Sequence, residues 1–184
     1  MTPGARVAAA IEILDEILAG TPAEKVLTSW ARSHRFAGSK DRAAIRDHVF
    51  NAIRCQRSFM WLGGADTGRA LLLGAMRAES IDPERFFSGE GYGPAALNAS
   101  ELSTSSLSDA PMPVQLDMPD WMIPELERSL GPDLNAVCNA LRHRAPVFLR
   151  ANTLKTTRDQ AIAALAHEDI GAVAHVLSPT AIEV

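Results

Sequence analysis

Val7, Ile11, Leu14 and Leu18 recur at helical spacing behind Thr2 as a cap and Pro3 in the first helical position, and Gly20 closes the run, so the chain opens with an amphipathic helix. Thr21-Pro22-Ala23-Glu24 repeats the start signal as a capping box, predicting a second helix that buries Val26, Leu27 and Trp30 and ends before Gly38. Ser39 caps a third, from about Lys40 to Arg57, with Ile45, Val49, Ala52 and Ile53 on one face. Residues Thr67 to Ala78 form a fourth helix, apolar all round, which suits the middle of a bundle. Two short helices are expected at Asp82 to Phe87 and Pro94 to Leu97, on either side of the Gly-rich stretch from Ser88 to Gly93.

From Ser103 to Pro119 the chain is rich in Ser, Pro and Asp and loses periodicity, as an exposed connector does. Trp121, Met122, Leu126 and Leu130 predict a short helix stopped by Gly131-Pro132, and Leu134 to His143 predicts another. At Pro146 the character changes. Pro146 to Asn152 is β-prone, Thr157 to His167 is a helix burying Ile162 and Leu165, Val173 to Leu177 is a second strand, and Ala181 to Val184 begins a third. The fold class is therefore mainly α: a helical bundle followed by an α/β unit expected to be incomplete, since its last strand opens as the sequence ends. The division is residues 1–102 as the helical domain, extending as far as 144 on a wider reading, 103–119 as connector, and 120–184 as linking helices and the start of the small α/β domain.

The composition is that of a globular chain: 184 residues, 47% hydrophobic and 22% charged. No apolar stretch approaches the ~20 residues of a membrane-spanning helix, and Met1-Thr2-Pro3-Gly4 lacks the pattern of an export signal, which points to the cytoplasm. Cys55 and Cys138 are too few for a disulfide framework or a four-cysteine metal site and read as buried apolar residues. The net charge of -4 conceals segregation. Arg32 to Arg57 carries +5, Glu79 to Glu127 carries -9, and Arg128 to Arg158 carries +5. An acidic middle that would repel a polyanion, read as solvated connector, separates two basic zones.

The third helix region, Lys40-Asp41-Arg42-Ala43-Ala44-Ile45-Arg46-Asp47-His48-Val49-Phe50-Asn51-Ala52-Ile53-Arg54, resembles the NusB-like helical domain at the start of the RsmB (Sun, Fmu) ribosomal RNA cytosine-C5 methyltransferases. Met118 to Met122 looks like that family's entry helix, and Ala145 to Lys155 is similar to its Pro-x-x-Leu-Arg-x-Asn signature, where the small pre-catalytic domain starts. The resemblance implies a NusB-like bundle, a ferredoxin-like domain, ribosomal RNA as partner, and S-adenosylmethionine as the cofactor of the full-length enzyme; beside it we expect a monomer and, from the lack of a long apolar stretch, no membrane partner. It also implies a Rossmann-like domain with a Pro-Cys nucleophile, and neither is found here: Gly63-Gly64 and Gly89 to Gly93 lie between helical segments, and neither cysteine follows a proline. The expectation is an RNA-binding portion without catalytic, cofactor or metal residues, inactive alone, with the catalytic domain as its missing partner. A second reading is a stand-alone NusB-like antitermination or RNA- and protein-binding factor; a third is a helical interaction module.

The candidate RNA contacts are the cations of the two basic zones. On the third helix Arg46, Arg54 and Arg57 fall round one flank with Phe50 among them, whereas Arg42 lies nearer the apolar stripe and is expected to snorkel or pair within the bundle. In the second zone the candidates are Arg142, Arg144, Arg150 and Lys155, with Arg150 and Asn152 sharing a strand face. The alternative for Asn152 is a local strand-to-loop hydrogen bond. His34 and His48 read as capping or surface residues, and Trp30, Trp61 and Trp121 as core.

Overall fold

The computed structural model describes residues 1–103 and 105–184, which fall into two compact units, Met1–His143 and Arg144–Val184. It is mainly helical, with one small antiparallel sheet in the second unit. Thr104, in the expected connector, lies outside the described residues.

In the first unit α1 (Pro3–Leu18), α2 (Ala23–Ser33), α3 (Ser39–Arg54), α4 (Gln56–Gly63) and α5 (Gly68–Ala78) form a bundle. Thr2 caps α1 by accepting from the Ala5 N–H at 3.2 Å, and Thr67 caps α5 by accepting from Ala70 at 3.1 Å. The capping box foreseen at Thr21 does not form: Pro22 is the cap of α2, without a side-chain bond, because Glu24 reaches across to Arg46 on α3 instead. α3 also ends three residues before its expected limit, breaking at Cys55, so that Arg57 belongs to α4. The core between these helices is built from Val7, Ile13, Leu14, Ile45, Val49, Leu71 and Leu73, all essentially inaccessible. As its apolar pattern requires, α5 is buried along most of its length.

Asp82 caps a 3-10 turn at Pro83–Arg85, but residues 94–97 form no helix. The Arg69 guanidinium donates to the carbonyls of Ala95 and Ala96 at 3.0 and 3.1 Å, grips Glu101 through two bonds of 2.6 and 2.9 Å, and lies over the Phe87 ring. That side chain holds the segment extended against the bundle. Arg69 also keeps the Glu101 carboxyl below its ordinary value of 4.5. A carboxylate with a lowered folded pKa stabilises fully above about pH 4.5 and loses that contribution as pH falls through its folded value. Arg69→Met is therefore expected to lower the urea midpoint more at pH 7 than at pH 3, where only the carbonyl bonds remain to be lost; an equal loss at both would remove the ion pair from the account.

The stretch read as connector is packed. A 3-10 turn at Leu107–Asp109 and α6 (Met112–Gln115) lead to Leu116, which joins Ile123, Leu134 and Cys138 in a second small core under α7 (Ile123–Leu130) and α8 (Leu134–Leu141). Trp121, expected in the core, is 79% exposed, since the turn at Asp120–Met122 precedes α7 and sends Ile123 inward in its place. Trp61 is half-buried and donates its indole N–H to the Ser106 carbonyl at 3.0 Å.

The second unit is β1 (Phe148–Arg150), α9 (Arg158–His167), β2 (Val173–Ala174) and β3 (Ala181–Glu183), with β3 in the centre, antiparallel to both neighbours. The α9 crossover leaves a gap one strand wide between β1 and β2, and β3 fills it, giving a split β-α-β arrangement. Ile182 in the middle of β3 is buried, whereas Ile162 and Leu165 on α9 are only half-buried, short of their expected burial.

Candidate nucleic-acid interface

The predicted cations divide sharply between those the fold consumes and those it leaves open. Arg142 is consumed. Its Nε is ion-paired with the Asp117 carboxylate at 3.0 Å, its Nη2 donates to the Ser58 hydroxyl at 3.2 Å, and the Asp117 side chain is only 2% exposed. Asp117 also accepts from the Ser58 hydroxyl at 2.7 Å and from the Ser58 backbone N–H at 2.8 Å. That N–H belongs to the first turn of α4, where backbone donors have no intrahelical partner and the helix end favours negative charge. The carboxylate thus caps α4 from 59 residues away in sequence. Arg57 is spent in a similar manner, on the Met118 carbonyl and on Asp120 at 2.8 Å, tying the approach to α7 onto α4.

Arg46 is exposed but bound through both terminal nitrogens to the carboxylate of Glu24, itself exposed, and its guanidinium lies 5.0 Å from the Phe50 ring centre. An exposed pair of this kind contributes little to stability and exchanges readily for another anion. Two turns on, Arg54 is half-buried and its side chain makes no hydrogen bond or ion pair among the described residues.

Sequence reasoning missed a cleft between α2 and α3. It has a volume of about 590 Å³ and takes Arg32, Arg35, Arg42 and Arg46 into its walls, over a floor that includes Leu27, Trp30 and Ile45. Arg42 was expected to pair or snorkel inside the bundle. The buried stripe of α3 begins only at Ile45, so the first turn projects beyond the core and Arg42 is exposed. Arg32 and Arg35 sit at the end of α2 and just past it, where cations suit the helix terminus. The clue available in the sequence was the charge balance from Arg32 to Arg57; which cations share a cleft depended on how two helices diverge.

In the second unit the side chains of Arg150 and Lys155 are exposed and make no hydrogen bond or ion pair among the described residues, while Arg144 is exposed but already engaged. Asn152 lies beyond β1 and turns inward on its own loop, its side-chain oxygen accepting from Leu154 N–H at 3.1 Å, so it does not extend a strand face with Arg150. Arg158 donates to the Ser178 carbonyl at 3.3 Å.

Other chemistry finds little footing among the described residues. Cys55 and Cys138 are buried and free, and burial raises both thiols above their ordinary value, which keeps them protonated. His48 is pushed down by burial, and at the end of α2 the His34 Nδ1–H donates to the Trp30 carbonyl at 2.9 Å. No group of three metal-ligating side chains is assembled among the described residues, and no described helix is long and apolar enough to cross a membrane. The two glycine clusters singled out in the sequence lie away from any strand-to-helix turn. Gly63 lies at a helix crossing, Gly64 closes α4, Gly89 and Gly91 belong to a loop, and the link from β1 to α9 contains no glycine.

No curated protein matches this chain. Residues 118–184, however, match the family model described as the ferredoxin-like domain of RsmF/B-like methyltransferases. The matched stretch starts ahead of α7 and takes in α8 together with the whole second unit, whose β1-β3-β2 sheet has the strand order such a domain requires. This part of the chain is similar to a domain found in RsmF/RsmB-like ribosomal RNA methyltransferases.

Proposed function

We propose that the chain is the RNA-engaging, non-catalytic portion of an RsmB-like, S-adenosylmethionine-dependent ribosomal RNA cytosine-C5 methyltransferase, with a NusB-like helical domain ahead of the ferredoxin-like one and a cytoplasmic place of work. The match over residues 118–184 carries the reading. Pyrimidine C5 methylation needs a nucleophilic thiolate and a bound methyl donor. The two thiols here are buried and protonated, so this portion contributes grip and orientation, and a separate catalytic domain contributes the chemistry. Phe148 and Val173, which pair with Glu183 from either side, are exposed apolar side chains on the sheet, where such a domain would pack.

Of the seven cations assigned to RNA, Arg54, Arg150 and Lys155 are the ones we retain as open contacts, Arg46 as one that would trade Glu24 for phosphate, and Arg144 as a neighbour already engaged. Arg57 and Arg142 hold the fold. The test is RNA affinity of the whole chain, measured by fluorescence anisotropy across a salt series. Each phosphate neutralised on a single strand adds roughly 0.7 to the slope of log affinity against log salt. Arg54→Gln with Lys155→Gln should weaken binding and flatten the slope by about 1.4. No affinity at low salt, or affinity indifferent to salt, overturns the reading.

A further inference from the structure

The α2–α3 cleft does not stand alone. Trp30, in its floor, also forms a wall of a second cleft of about 600 Å³, whose lining includes His34, Phe36 and Tyr92. His34 stacks on Trp30 with ring centres 4.3 Å apart and planes 9° from parallel, and Phe36 meets His34 edge-on at 5.7 Å. Phe36 is 73% exposed and Tyr92 87%. A globular protein gains nothing in stability by presenting two aromatic faces to water beside a wall of arginines. Among the described residues no carboxylate lines the arginine cleft; Glu24 pairs with Arg46 of its wall, and the aromatic cleft contains one acid, Glu12.

We propose that these two clefts form one binding site for unpaired RNA, with backbone phosphates among Arg32, Arg35, Arg42 and Arg46 and an unstacked base laid on Phe36. The inference rests on the RNA-engaging reading above and adds to it a place and a class of substrate. The chemistry selects single strands. Phosphates satisfy guanidinium groups whether the RNA is paired or not, but an aromatic face can receive a base only when that base has left a helix. Arg35 and Phe36 are consecutive in the chain, which brings the charged and the stacking elements within one nucleotide step of each other. An acidic protein segment would satisfy the arginines equally well and would have no use for Phe36, and the difference separates the two occupants.

The test uses the whole chain, a single-stranded RNA of mixed sequence, a duplex of the same length, and polyglutamate. Phe36→Ala should reduce affinity for the single strand at least fivefold, the lower end for loss of one base stack. It should leave duplex affinity unchanged, and Phe36→Tyr should restore single-strand binding. Arg32→Gln with Arg42→Gln should flatten the salt slope for the single strand by roughly 1.4. Both sites are exposed, and an unchanged melting temperature confirms that each variant folds. If RNA binding persists undiminished in these variants yet falls with Arg54→Gln and Lys155→Gln, the cleft is overturned and the RNA-engaging reading stands. If polyglutamate displaces the single strand as well as RNA does and Phe36→Ala has no effect, the occupant is an acidic chain and the proposal is overturned. No RNA affinity in the unaltered chain overturns both.

Discussion

Replacing Gly74 by alanine should lower the melting temperature by roughly 4 to 12 °C, for a cost of about 2 to 3 kcal/mol. The reason is backbone contact. A Cβ at Gly74 would lie 1.9 Å from the Phe59 carbonyl oxygen, and one at Gly63 would lie 2.0 Å from the Ala70 carbonyl oxygen. These two touching points fix the antiparallel crossing of α4 and α5, with Leu71 and Leu73 buried alongside. An added methyl needs about 3.5 Å, so the helices must part by more than 1 Å and unpack the neighbouring side chains. Alanine's better helix propensity returns only about 1 kcal/mol, which is too little to offset the separation. Calorimetry of the single variant decides it: an unchanged melting temperature would mean that the two helices do not meet as described.

Asp117→Ala should cost about 3 to 4 kcal/mol, the largest loss expected of any polar substitution here. It removes the cap on Ser58 and strands the Arg142 guanidinium, which is only 20% exposed. Asp117 also has a positive φ of 54°, a conformation that alanine tolerates less well than aspartate or asparagine. Asp117→Asn keeps an acceptor for the Ser58 N–H and should lose about half as much. In a denaturant double-mutant cycle, Asp117→Asn and Arg142→Gln should be coupled by about 1 kcal/mol or more. Additive losses would return Arg142 to the list of candidate RNA contacts.

These two sites show where the sequence was legible and where it was not. Local signals worked: Thr2 with Pro3, the apolar run of α5, and the rise of β-prone residues after Pro146 all have their causes within a few positions. The signals that failed were overridden from a distance. Glu24 left its capping box for Arg46, 22 residues on, and Arg69 took the carbonyls of residues expected to form a helix. Asp117, in a stretch whose Ser, Pro and Asp content read as exposed, is almost wholly buried because its partners come from α4 and from beyond α8. For the candidate site, charge segregation showed where the cations concentrate along the chain, but ion pairing is a tertiary property. It withdrew Arg57 and Arg142 from the surface and brought Arg32, Arg35 and Arg42 together.

The proposed RNA-engaging role requires that RNA lie on the basic faces and stay off the acidic middle. Ultraviolet crosslinking of the whole chain to single-stranded RNA, with the attached peptides mapped by mass spectrometry, tests this most directly. Crosslinks should concentrate between Trp30 and Arg54 and around Arg150 and Lys155, should appear at Phe36, and should fade as salt rises. Crosslinks confined to residues 107–133, or none at all at low salt, would contradict it.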